Sequence, residues 1–176
     1  HNGEGMSEYK FQIAEEKHMG QINLTNIQAD LGTFGMDYPS FTFSYEDLVT
    51  AIKNKEVVVV ILSEKVVGFA KFMKDLNNKF GYLHQISVSP EHQRKGLAQN
   101  LIREVFSLFR NQEIQKIGLT TAAETPWGKG LYTKLGFVIK SPLGVPEPLQ
   151  SQIKIEFEQS PEEKIYMELD IKNAIT

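Results

Sequence analysis

Apolar residues follow two different periods along this chain, and the period changes at glycine, proline and short polar clusters. The stretch "EVVVVILSEKVVGFAKFM" holds two runs rich in β-branched residues, 57–62 and 66–73, separated by Ser63-Glu64-Lys65. Such runs predict two strands joined by a tight turn. The first is apolar at every position, so it is expected to be covered on both faces. A third strand is predicted over 80–88, where alternation puts Tyr82, His84, Ile86 and Val88 on one face. From Gly96 onward the spacing lengthens. Leu97, Leu101, Ile102, Val105, Leu108 and Phe109 form one stripe of an amphipathic helix. "KIGLT" (116–120) predicts a short strand. Thr125-Pro126 then predicts a helix start, a cap followed by proline at the first helical position. That helix is expected to reach about Leu135 and stop at Gly136, before a strand over 137–139.

The two ends are less regular. Weak helical spacing at Met19, Ile22, Leu24 and Ile27 predicts a helix over roughly 17–31. The aromatic stretch "FGMDYPSFTFSY" (34–45) is broken by Gly and Pro and is expected to be loop. Ser44 with Asp47 resembles a capping box opening a short helix to about residue 53. Three prolines make "SPLGVPEPLQSQ" (141–152) a predicted loop. "IKIEFE" (153–158) and "KIYMELDI" (164–171) both alternate, which predicts a hairpin turning at Pro161. The whole is an α/β chain: a mixed sheet, its central strands antiparallel, with helices on both faces.

Composition narrows the chemistry. Apolar residues at 41% and charged residues at 23% suit a packed domain, and a formal net charge of −3 speaks against nucleic acid as a partner. With no cysteine there is no disulfide, thiolate metal site or acyl-cysteine intermediate, which is compatible with a reducing cytoplasm. No apolar run approaches the roughly 18 residues of a membrane span, and no signal-peptide pattern opens the chain. A membrane is therefore not an expected partner, and a cytoplasmic location is. "HNGEG" (1–5) reads as a cloning remnant, leaving 6–176 as one expected domain. His1 and His18 lie far from the other histidines, so no metal-ligand spacing is visible.

The most informative stretch is "SVSPEHQRKGLAQNLI" (87–102). Small residues and two cations stand where a helix begins. The first amides of a helix have no intrahelical partner, and with the macrodipole they favour an anion. Gly96 and Ala98 would admit a pyrophosphate close to the backbone, and Arg94 and Lys95 could add charge-assisted contacts. On spacing alone, a solvated basic turn stands as an equal alternative. Two other phosphate motifs do not fit: "WGKG" lacks the P-loop spacing, and no G-x-G-x-x-G is present.

Gln93-Arg94-Lys95-Gly96-Leu97-Ala98 resembles the Q/R-x-x-G-x-G/A signature of GNAT-type N-acetyltransferases, and it follows Ile86-Ser87-Val88 as that signature follows a strand. "GLYTKLGF" (130–137) resembles the family's second signature, a helix bearing a tyrosine and closing with Gly-Phe. The resemblance covers about 57–139 well and the ends loosely. It implies a GNAT fold and acetyl-CoA as cosubstrate, with the pyrophosphate on the amides of Arg94 to Ala98 after Gln93. It further implies pantetheine paired with the backbone of Ile86 and Val88, and contacts from Gly128 and Thr125. Thr125 stands where the family commonly has asparagine.

The implied reaction is direct attack of an amine on the thioester in a ternary complex, without a covalent enzyme intermediate. Tyr132 matches the family tyrosine that acts as acid toward the leaving sulfur; the alternative is a core aromatic. His84 is the candidate base, since histidine titrates near neutral pH; a satisfied, partly buried histidine is the alternative. Phe34, Tyr38 and Tyr82 are candidate acceptor-binding residues, because aromatic faces attract ammonium groups. The expected acceptor is a small-molecule or peptide amine, and a homodimer is a possible assembly. A noncatalytic acyl-CoA-binding module of the same fold is the second reading.

Overall fold

The computed structural model describes residues 8–34, 44–123, 126–159 and 163–175, with side chains outside 27–34 and 126–127. Among the described residues, seven strands form one mixed, mostly antiparallel sheet. They are β1 (Lys10–Ile13), β2 (Val57–Leu62), β3 (Lys65–Asp75), β4 (Phe80–Val88), β5 (Lys116–Ala122), β6 (Val138–Ile139) and β7 (Lys164–Asp170), in the order β1-β2-β3-β4-β5-β7-β6. The helices are α1 (Met19–Phe34), α2 (Tyr45–Lys53), α3 (Leu97–Asn111), α4 (Leu131–Lys134) and α5 (Leu149–Gln159). Among the described residues, no helix is long and apolar enough to cross a membrane, and no group of three or more metal-ligating side chains meets. The chain divides into two compact units, residues 1–72 with 85–105 and residues 73–84 with 106–176.

In the first unit, β2 pairs antiparallel with β1 and β3. Ser63 and Glu64 turn the β2–β3 hairpin with both φ positive, 49° and 68°. This is the two-residue turn whose twist matches the flanking strands. Val57 to Val60 are all buried, as a strand apolar at every position requires. Ala14, Ile22, Leu48, Ala51 and Phe69 join Val57, Val59 and Val66 in the core. Ser44 caps α2, accepting the Asp47 amide at 3.1 Å as expected. β1 was not foreseen. Its four residues alternate exposed with half-buried, too short a run to stand out from its polar neighbours.

In the second unit, β4 and β5 run parallel, paired over Phe80–Tyr82 and Lys116–Gly118. β7 lies antiparallel between β5 and β6. Phe106 and Phe109 of α3 are fully buried, whereas Leu108 is half-buried. The predicted stripe therefore missed Phe106. The helix expected from Thr125 consists of one π turn (Pro126–Gly130) followed by α4, and Gly136 ends it with φ 104°.

One expectation is overturned. "IKIEFE" is not a strand and forms no hairpin with β7; it lies within helix α5. The alternation of Ile153, Ile155 and Phe157 is real, but only Ile153 is buried, with Leu149 one turn earlier, while Ile155 and Phe157 stay exposed. The helix begins inside the predicted loop. The Gln150 and Gln152 amides bond the carbonyls of Pro146 and Pro148 at 3.0 and 3.2 Å. Proline just before and within a first helical turn is favourable, and Leu, Gln, Lys and Glu are good helix formers. The predicted turn at Pro161 lies outside the described residues.

Candidate active site

The first unit contains the 87–98 segment. β4 ends at Val88, a short 3-10 turn covers Pro90–His92, and α3 starts at Leu97. Between them the backbone curls, with φ +63° at Arg94 and +78° at Gly96. Glycine takes the second value without strain, whereas a side chain there is unfavourable. The Asn100 amide bonds the Gly96 carbonyl at 3.1 Å, which opens the helical ladder. The amides of Leu97, Ala98 and Gln99 thus precede it and carry the positive end of the helix dipole. Gln93, Arg94 and Gly96 are exposed, Lys95 and Ala98 half-buried, and Leu97 anchors the turn in the core.

Two contacts hold this turn in place. Gln93 Nε2 donates to the Val88 carbonyl at 3.0 Å, tying the turn back to the strand. Tyr9 hydroxyl meets His92 Nδ1 at 3.1 Å, with the rings edge to face. Behind the strand, Asn26 of α1 is fully buried, and its Oδ1 accepts from Ser87 Oγ at 3.1 Å and from Gln85 Nε2. A buried polar group needs such partners, and these fix the strand end from which the turn departs.

In the second unit, Tyr82 and His84 reach α5 rather than open solvent. Tyr82 is fully buried, and its hydroxyl donates to Glu156 Oε1 at 2.7 Å; Thr120 Oγ1 donates to the same oxygen at 2.5 Å. Gln152 Nε2 donates to Glu156 Oε2 at 2.7 Å and lies 3.1 Å from His84 Nε2. Burial, then the Glu156 charge, push the Tyr82 hydroxyl far above an ordinary phenol, so it stays a donor. Burial also raises Glu156, against the opposing pull of hydrogen bonds from Thr120, Gln152 and Tyr82. Sequence reasoning read Glu156 only as part of an acidic run and did not single out Gln152; neither was placed beside Tyr82 and His84. Their four-residue spacing was a signal that they would share a face once the segment was helical.

Tyr132, in α4, is 7% exposed and packs edge to face on Phe137 at 5.6 Å between ring centroids. Desolvation raises its hydroxyl well above the usual value, so it is a phenol at every working pH. Gly128 is buried in the π turn. Ile86 is half-buried and Val88 buried. Thr125 and Tyr38 lie outside the described residues; Phe34 ends α1, and its side chain is not among those described.

Glu156 makes a pH prediction. Its carboxyl binds a proton more tightly folded than unfolded. Ionising it therefore costs stability, progressively from about pH 4.5 up through its raised native value and in full above that. Urea midpoints across pH should show Glu156→Gln gaining on the native chain through that window, with a constant difference above it. A difference that shrinks with rising pH would mean that the hydrogen bonds outweigh burial.

Residues 25–137 match the sequence profile of the acetyltransferase (GNAT) family. Comparison with curated proteins gives no match. Among solved structures, the Neisseria gonorrhoeae N-acetylglutamate synthase complexed with coenzyme A and N-acetyl-glutamate superposes with a TM-score of 0.72 at 16% identity, over 93% of this chain and 35% of that one. The chain thus spans about a third of that enzyme. The Escherichia coli ribosomal-protein-S18-alanine N-acetyltransferase gives 0.69 at 18% identity, over 93% of this chain and 94% of that one. YncA from Salmonella typhimurium, solved with acetyl-CoA, gives 0.68 at 17% identity, over 93% and 94%. At these identities the likeness is one of fold.

Proposed function

The chain belongs to the GNAT acetyltransferase family, and from that premise we infer that it transfers an acetyl group from acetyl-CoA to the nitrogen of an amine acceptor. The observation that carries the reading is the curled turn at Arg94 and Gly96, where backbone amides precede the α3 ladder. An exposed glycine with positive φ, next to two cationic residues and the start of a 15-residue helix, suits a diphosphate. That fold neighbours were solved with coenzyme A or acetyl-CoA supports the cosubstrate.

The pantetheine arm pairs with the β4 backbone near Ile86 and Val88. The ladder between β4 and β5 covers only 80–82 on the β4 side, so later residues of β4 are not engaged in it. Gln93 already takes the Val88 carbonyl. The Val88 amide is the proposed donor to the acetyl oxygen as it becomes an oxyanion. Gly128, Thr125 and Leu97 complete the proposed cofactor contacts, and Phe34, Tyr38 and Tyr82 the acceptor region.

In the reaction the amine nitrogen, having lost a proton, forms a bond to the acetyl carbon. The carbon–sulfur bond then breaks and the sulfur leaves with the electron pair. His84 accepts the amine proton. Tyr132, kept protonated by its burial, supplies one to the sulfur. Holding both reactants in line contributes much of the acceleration.

The test is free coenzyme A release across an amine panel of peptides, polyamines, aminoglycosides and amino acids. One class should turn over. Tyr132→Phe should lower kcat by about 10²–10⁴-fold and leave the stabilisation by acetyl-CoA in place. Release with no amine, while acetyl-CoA still stabilises the fold, would leave the noncatalytic acyl-CoA module as the correct reading.

A further inference from the structure

The inner side of α5 gathers five polar side chains whose donors and acceptors can be assigned. Glu156 Oε1 accepts from Tyr82 and Thr120, at 2.7 and 2.5 Å, and Oε2 faces the Gln152 amide at 2.7 Å. Burying a carboxylate costs stability, and the three donors reduce that cost by satisfying three of its acceptor positions. An ionised carboxylate can only accept. The end of the Gln152 amide that faces it must therefore be the nitrogen, because the amide oxygen would meet it lone pair to lone pair.

The same nitrogen lies 3.1 Å from His84 Nε2. An amide NH2 carries two protons and offers no acceptor. One proton goes to Glu156 and the other points at the imidazole. His84 Nε2 must then be the bare, accepting nitrogen, with the ring proton on Nδ1. A proton on Nε2 would set two donors against each other.

We propose that Gln152 and Glu156 form a positioning pair that holds His84 as the Nδ1–H tautomer and so selects Nε2 as the nitrogen that can take up a proton. Gln152 and Glu156 stand four residues apart on α5, so one helix face presents both. The chain of influence runs from the carboxylate charge, through the amide orientation, to the ring. Around the carboxylate, Tyr82 and Thr120 donate to Oε1, Lys164 acts on Glu156 through its charge, and Tyr166 acts on Tyr82.

The inference rests on the reading of His84 as the base and adds a condition to it. For His84 to act, the Gln152 amide must turn aside. One N–H bond of the acceptor amine then breaks, one forms at Nε2, and the ring leaves the step as an imidazolium that has kept its Nδ1 proton.

The ring tautomer is measured directly by long-range proton–nitrogen correlation spectra of the 15N-labelled full chain, ligand-free at neutral pH. The native chain should show His84 as Nδ1–H. Gln152→Leu and Glu156→Gln should both admit the Nε2–H form, whereas Tyr82→Phe should leave the signature unchanged, since it removes a donor from Oε1 only. A native ring in the Nε2–H form overturns the proposal without any variant. So does a ring that responds to neither α5 substitution, and so does the same change in Tyr82→Phe, which would mark general loosening. In turnover, Gln152→Leu should lower kcat and leave the KM for acetyl-CoA unmoved. Because the spectra need neither cosubstrate nor acceptor, they decide the positioning pair separately from the amine panel, which decides the reaction.

Discussion

Gly96→Val is expected to abolish the thermal stabilisation that acetyl-CoA confers, while leaving the unliganded fold largely intact. A ligand at about a hundred times its Kd stabilises by about 2.7 kcal/mol. For a domain of this size that raises Tm by roughly 5–10 °C. Gly96 has φ +78°, a region where a β-branched side chain costs about 1–2 kcal/mol. The variant chain relieves that strain by pulling the turn toward an ordinary φ. The amides of Leu97 and Ala98 then lose the orientation on which anion binding depends. Differential scanning with and without acetyl-CoA reads both effects. The expected result is a modest drop in the unliganded Tm together with loss of the ligand shift. A shift that survives at native size would remove the turn from the binding site and with it the reading of the 93–98 segment.

The largest expected loss of stability is at Phe109, and its partner is a glycine. Phe109 is fully buried on α3. A Cβ placed on Gly81 of β4 would overlap its ring. Phe109→Ala should cost about 3–5 kcal/mol, through lost burial and the cavity left behind. Gly81→Ala should cost about 1–3 kcal/mol by overpacking, because the ring has to move. The two sites share one volume, so the effects should not add. Gly81→Ala combined with Phe109→Leu should unfold at higher urea than the sum of the two single losses requires, since leucine vacates the space that the new methyl enters. Strict additivity in denaturant midpoints would mean that the strand and helix are not in van der Waals contact at this point.

Much of this fold was legible because its elements are locally consistent. The β2–β3 hairpin, the amphipathic α3 and the Ser44 cap each rest on residues within a few positions of one another, and each formed where expected. The 93–98 turn was legible for the same reason, since its glycine, its small residues and the helix start are contiguous. β1 was not, because four residues of mild alternation carry too little signal. Phe106 was missed because it widens the apolar stripe beyond the pattern used to find it.

The α5 segment shows where local reading ends. Ile153, Ile155 and Phe157 alternate as a strand would, but alternation decides secondary structure only if the face it defines is the face that becomes buried. Here the surroundings bury Leu149 and Ile153, one helical turn apart, together with Val145 and Tyr166. The helix then brings Glu156 and Gln152 to side chains of β4 and β5 that are 36 to 74 residues away in sequence.

By itself, the sequence determined the central strands, the amphipathic helix after Gly96 and the turn between them, because short-range sterics and periodicity suffice for those. Only the tertiary structure decided that the 149–159 segment is a helix and that a carboxylate meets Tyr82 and Thr120 beside His84. The physical reason is that burial is a property of what packs against a residue, and no residue within the segment supplies that partner.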